Sequence, residues 1–184
     1  MADCRLGDEP GQVLATYALG SCIGLAVHDP VARVGGLLHF MLPDSSIDRA
    51  RGLVDPYRFA DTGIPKLLEG VYSRGASKRR LVLAAAGAAS MMDPQNIFDI
   101  GRRNYQAMRK LLWKAGLLVQ AEAIGGDRSR TVYLEIGTGR FWMREEGRQR
   151  DILPGRAVAP QISGLAGLES RKGGADGLSR PDCR

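Results

Sequence analysis

Two apolar runs joined by a short turn constrain this chain more than anything else in it. Residues 23–27 read Ile-Gly-Leu-Ala-Val and lead into His28-Asp29-Pro30; residues 34–42 are apolar apart from His39. Runs of that length between turn residues read as buried strands. The polar and small residues at 31–35 leave room only for a turn, so the second run folds back antiparallel to the first. Residues 12–29 as a whole read as one or two strands around a Leu19-Gly20-Ser21 bend. Cys22 therefore stands where the chain must turn. The returning run carries His39 back toward it and leaves His28 beside the turn, at the far end.

The remaining elements are plainer. Pro43-Asp44-Ser45-Ser46 ends the second run, and residues 47–57 read as a mobile loop. Asp61 is placed to cap a helix ending at Tyr72, with Ile64, Leu67, Leu68 and Val71 at helical spacing, Pro65 in its first turn and Gly75 as its stop. Residues 81–86 form a short apolar strand, and 87–92 are small and flexible. Asp99 is placed to cap a second helix, with Tyr105, Met108, Leu111, Leu112 and Ala115 on one face and Gly116 as its stop. Residues 117–123 read as a strand. Residues 131–136 and 140–144 read as a hairpin through Gly137-Thr138-Gly139. From Gly147 the chain is rich in Gly, Arg, Ser and Pro without an aromatic residue, and is expected to be a disordered tail. The expected organisation is one domain over residues 1–147 and a tail over 148–184. Strands mixed with two main helices predict a layered α/β sandwich with mixed, largely antiparallel sheets.

Composition narrows the function classes. A chain of 184 residues suits one domain with a real core. No stretch reaches the roughly 18 uninterrupted apolar residues of a membrane span. Residues 1–10 are polar and acidic and lack an apolar signal core, so a cytoplasmic location is expected. Cys4, Cys22 and Cys183 are odd in number and scattered, two of them near chain ends, which fits a reducing compartment rather than a disulfide framework. Cys4 and Cys183 read as incidental thiols. The net charge of +6 comes largely from tail arginines and from Lys78-Arg79-Arg80 ahead of a strand. No basic helix with interleaved aromatics stands out, so no nucleic-acid partner is expected. No apolar helix stripe is left over, which favours a monomer.

A thiol at a bend has a chemical rationale. A cysteine nucleophile needs partial exposure, a neighbouring base and backbone donors for an oxyanion. Gly20 and Ser21 allow a tight turn whose amides, with that of Cys22, face a carbonyl oxygen. On the antiparallel pairing His39 is the better base and His28 the poorer. Thr16, on the strand before the bend, has a hydroxyl able to orient an imidazole. Composition and spacing alone leave plainer readings open: a small hydrophobe at Cys22, a satisfied core histidine at His39, a strand residue at Thr16. Zinc is disfavoured, because no C-x-x-C or H-x₃-H spacing exists. Gly125-Gly126-Asp127 and Gly87-Ala88-Ala89-Ser90 match no phosphate-loop pattern and read as turns.

These stretches resemble the chemoreceptor glutamine deamidase (CheD) family. The resemblance rests on TYALGSCI (16–23), HDP (28–30) and GGLLHFMLPDS (35–45). It continues through FADT (59–62), AGAASM (86–91), IGRRN (100–104) and GGDRSRTV (125–132). It implies an α/β sandwich and a cytoplasmic enzyme, associated with chemoreceptor arrays, that hydrolyses particular glutamine side chains on chemoreceptor helices to glutamate. It implies Cys22 as nucleophile, His39 as base and Thr16 as its helper, with Gly20 and Ser21 supporting the oxyanion and no cofactor or metal. It also implies the phosphatase CheC as a partner where that protein exists. The chain departs from the family at Ala88, where a second glycine is usual, at Pro65 within a helix, and in its long tail. A Cys–His hydrolase for another amide or ester, or a non-enzymatic adaptor binding CheC or receptors, would carry the same motifs.

Overall fold

The computed structural model describes residues 2–90 and 99–155. Among the described residues, nine strands form two sheets. The first has five strands in the order β1-β4-β3-β5-β6: β1 (Asp3–Gly7), β4 (Val34–Phe40), β3 (Ile23–Asp29), β5 (Val82–Gly87) and β6 (Ala121–Ile124). The second has four, in the order β2-β7-β8-β9: β2 (Val13–Leu19), β7 (Arg130–Glu135), β8 (Phe141–Glu145) and β9 (Arg148–Leu153). Only β5 and β6 run parallel. The predicted layered α/β sandwich is the observed architecture.

The central strands β3 and β4 are buried on both faces, which is why they read as unbroken apolar runs. One face packs Ile23, Leu25, Val27, Val34, Leu38, Phe40, Leu83 and Ala85 against the helices α2 (Ala60–Tyr72) and α3 (Ile100–Lys114). The other packs Ala26, Leu37, Ala84 and Ala86 against Leu14, Val132, Leu134, Phe141 and Met143 of the second sheet. The small side chains on this inner face let the two sheets approach closely. The β3–β4 turn is closed by the buried Asp29, which accepts from the amides of Val31, Ala32 and Ser77 and pairs with Arg80.

Several expectations are corrected. The chain does not leave the fold at Gly147. Glu146 and Gly147 take φ values of 50° and 76°, making a tight hairpin turn of two left-handed residues, and β9 follows it to Leu153. Beyond residue 155 the expected tail lies outside the described residues, and Cys183 with it. Residues 3–7, for which no element was expected, are the edge strand β1, so Cys4 lies in a sheet. The presumed loop 47–57 contains a short helix, α1 (Arg49–Val54), whose cap Asp48 accepts from the Arg51 amide. Asp61 does not cap α2, which begins one residue earlier; its carboxylate accepts from the amide and hydroxyl of Ser45. Pro65 lies past the first turn and the helix continues through it. β6 is shorter than the expected strand over 117–123. Of the small, flexible stretch expected over 87–92, Gly87 closes β5, and residues 91 and 92 lie outside the described residues. α3 is more basic than the sequence reading allowed. It carries Arg102, Arg103, Arg109, Lys110 and Lys114 without an acid, along with Tyr105 and Trp113.

Candidate active site

β2 ends in one sheet and β3 begins in the other, so Gly20, Ser21 and Cys22 form the crossover between layers. That accounts for the bend: the chain changes sheets there. Thr16 arrives from the second sheet. Directly after it β2 bulges: Thr16 pairs with Val132 but Leu19 with Arg130, and Ala18 takes a φ of 54°. The extra residue sends Tyr17 and Ala18 outward and turns both Thr16 and Leu19 toward the inner layer.

His39 sits near the end of β4, opposite Gly24 of β3. Its Nδ1 lies 2.9 Å from Thr16 Oγ1, a hydrogen bond across the two sheets. Its Nε2 is buried and has no partner among the described residues. Strand alternation puts Cys22, two residues before Gly24, on the same face as His39 and diagonal to it. Cys22 packs, half-buried, against the inter-sheet core. The structure thus brings Thr16 and His39 into contact and sets Cys22 on the sheet face that His39 occupies.

Burial dominates the electrostatics. It raises the Cys22 thiol above its ordinary pKa, with its own backbone N–H opposing the rise. It lowers His39 to about 4. At neutral pH the pair rests as neutral thiol and neutral imidazole rather than as an ion pair. Cys4 is pushed up to about 12, again mainly by burial, so it is inert by comparison.

The crossover is held from outside by its carbonyls. Gly20 C=O accepts from the Ala89 amide and Cys22 C=O from the Ala88 amide, both at 2.8 Å. Ser21 C=O accepts from Asn104 Nδ2 at 3.0 Å. A Cβ on Gly87 would stand 2.1 Å from the Cys22 carbonyl oxygen, so only glycine admits this approach. Ala88 takes a φ of 55°, the region that the family's usual glycine adopts without strain. Further back, the buried Arg130 donates to the carbonyls of Ala123 and Gly125, which braces the loop on which Ser90 rests through Gly126.

His28 lies at the opposite end of β3 and does not join the site. Its Nε2–H donates to the Ile136 carbonyl at 2.8 Å, and Gly139 packs against its ring. Two participants escaped sequence reasoning: Gly24 and Asn104. Asn104 left a signal. It is the one amide in the buried stripe Gly101, Asn104, Met108, Leu112 of α3. Among the described residues no three His, Cys, Asp or Glu gather as a metal would require, and no helix is long and apolar enough to cross a membrane.

The comparisons agree on one family. Residues 41–145 match the family model described as CheD chemotactic sensory transduction. A protein of Solibacter usitatus named probable chemoreceptor glutamine deamidase CheD is 66% identical over 154 residues, 84% of this chain and 91% of the relative. Similarly named proteins of Syntrophus aciditrophicus and Anaeromyxobacter dehalogenans are 46% and 49% identical, over 80% and 76% of this chain and 92% and 88% of their own. The crossover cysteine, the buried histidine and the threonine between sheets are therefore features of a chain that belongs to the CheD family.

Proposed function

We propose that this protein hydrolyses glutamine side-chain amides on chemoreceptor helices to glutamate, with Cys22 as nucleophile, His39 as general base and acid, and Thr16 orienting His39. The names of its relatives supply the reaction and substrate class. The observation that supports the roles is the 2.9 Å Thr16–His39 bond, which leaves the buried Nε2 without a partner among the described residues, with Cys22 on the same sheet face as His39.

If Nδ1–H donates to Thr16 Oγ1, the lone pair on Nε2 is left for the thiol proton. Cys22 passes that proton to Nε2 and its sulfur attacks the amide carbon. The tetrahedral intermediate collapses as Nε2–H protonates the departing nitrogen, releasing ammonia and leaving a thioester. Water gives a proton to Nε2 and adds to the thioester carbon. Collapse returns the proton to sulfur and frees glutamate. Because burial favours the neutral thiol and the neutral imidazole, the proton passes from sulfur to Nε2 during the attack rather than before it.

The oxyanion donors follow from the crossover. In a trans peptide the N–H points opposite to the preceding C=O. The carbonyls of Gly20 and Ser21 are held by the buried Ala89 amide and Asn104, so the amides of Ser21 and Cys22 each point away from those partners. That supports an oxyanion site built on Gly20, Ser21 and Cys22. No cofactor enters these steps. Residence at chemoreceptor arrays and binding of CheC belong to this reading as partners of a family member. The test is incubation with receptor cytoplasmic fragments and peptide mass spectrometry. Glutamine-to-glutamate conversion by the wild type, lost in Cys22→Ala and His39→Ala, is expected. Conversion that survives Cys22→Ala would remove the nucleophile assignment. Receptor binding without conversion would favour an adaptor.

A further inference from the structure

We infer that Asn104 is a positioning residue that sets the geometry between Cys22 and His39 by tying their two chain segments to one amide. Asn104 is fully buried in α3. Its Nδ2 donates to two carbonyls: Ser21 at 3.0 Å, immediately before Cys22, and Met41 at 2.8 Å, two residues after His39. Both of its N–H groups are used, and neither acceptor belongs to a helix or to a sheet ladder. The two acceptors lie on different sides of the β3–β4 ladder's end, where Ile23–Phe40 is the last pair. Past that pair no ladder bond holds residues 21–22 to residue 41. The Asn104 amide takes over where the sheet stops, as a bridge of one nitrogen between the two strand ends.

The bridge also fixes which way the crossover peptide faces. With Ser21 C=O held by α3, the Cys22 amide must point away from it. Loss of the bridge frees that peptide to rotate and lets the ends of β3 and β4 drift apart, carrying Cys22 from His39. The Oδ1 of Asn104 is buried without a partner among the described residues. An apolar residue of the same shape would spare the protein that unmatched acceptor, and a packing role alone would favour leucine there. The asparagine is explained by its donors.

This inference rests on the Cys22–His39 reading, and its test is arranged so that the two fail separately. Asn104→Asp keeps the shape and replaces both donors with an acceptor facing two carbonyls. Cys22 alkylation by iodoacetamide, followed peptide by peptide with Cys4 as internal control, needs no receptor substrate. It is measured in wild type, Asn104→Asp, His39→Ala and the double variant, alongside thermal unfolding and deamidation kinetics. If Asn104 positions the pair, Asn104→Asp alters the rate of Cys22 alkylation at least tenfold. The effect of His39→Ala then largely disappears in the Asn104→Asp background. In receptor assays kcat falls at least tenfold while KM stays within about twofold. Strict additivity of the two substitutions, or a lowered melting temperature with unchanged Cys22 reactivity, overturns the inference. A wild type in which His39→Ala leaves Cys22 reactivity untouched overturns the Cys–His reading instead, and this inference with it. Should Asn104→Asp fail to fold, Asn104→Ser keeps one donor, and an intermediate loss of His39 dependence is expected of it.

Discussion

Gly24 stands opposite His39 in the β3–β4 ladder, and the space above its Cα is filled from the other sheet by Thr16, Leu19 and Val132. A Cβ there would lie 2.9 Å from Leu19, 3.0 Å from Val132 and 3.4 Å from the Thr16 methyl. The missing side chain is what allows Thr16 to reach across to the imidazole. Gly24→Ala is therefore expected to cost about 1–3 kcal/mol of stability by overpacking. It should lower turnover by more than the loss of folded protein accounts for. Thermal unfolding alongside deamidation kinetics on the folded fraction checks this, and turnover that tracks stability alone would refute it.

Thr16→Val removes the hydroxyl at constant shape and leaves His39 Nδ1 buried without a partner. An unsatisfied buried donor costs about 1–3 kcal/mol, so kcat/KM is expected to fall roughly ten- to a hundredfold. Thr16→Ser keeps the oxygen and should retain most activity. Activity kept in Thr16→Val but lost in Thr16→Ser would mean that the methyl, not the hydroxyl, matters.

Burial of His39 has a pH signature. Its folded pKa of about 4 lies below the ordinary 6.5, so between those values the unfolded chain binds more protons than the folded one. Stability contributed by His39 is therefore present above pH 6.5 and is lost as the pH falls toward 4, on the order of 3 kcal/mol in all. His28, also lowered by burial, acts in the same direction, so wild type is to be compared with His39→Gln by urea unfolding at pH 7 and 5. The variant should show the shallower dependence. The acid limb of kcat/KM should lie well below pH 6.5; a limb at 6.5 would mean that the imidazole is solvated.

Ala88 adopts a left-handed conformation that costs an L-residue about 1–2 kcal/mol, while glycine there forfeits roughly 0.5–1 kcal/mol of unfolded-chain entropy. Ala88→Gly should accordingly stabilise the protein by up to about 1 kcal/mol and leave turnover unchanged. Ala88→Val, β-branched at the same φ, should destabilise it. Denaturant midpoints decide between these outcomes and a position indifferent to backbone strain.

What could be read in advance follows from how far each signal is local. The pairing of the Cys22 and His39 segments was legible because the turn at 31–35 is short and both runs are apolar. That Cys22 sits at a bend was legible; that the bend joins two sheets was not, since β2 pairs with β7, more than a hundred residues away. Thr16 was legible as a hydroxyl on the strand before the bend, but the bulge at Ala18 that aims it leaves no periodicity. β1 and β9 went unseen because both are edge strands, exposed and polar enough to look like chain ends. Asp61 was misread because it serves Ser45 rather than its own helix. Asn104 was visible as a polar residue in an apolar stripe, but only its two carbonyl partners give that a meaning.

Thr16 and His39 answer to different sheets, so their hydrogen bond works as a gauge of the gap between the layers. The seam they span is lined by Gly24, Ala26, Ala84 and Ala86, which have almost no slack to give. Anything that pries the layers apart, whether hydrostatic pressure, a bulky residue at the seam or a ligand wedged at the far end beside His28, would register first as a detuned imidazole and only later as unfolding. On the proposed mechanism, activity would fail before the fold does, and the nitrogen resonances of His39 would report the difference.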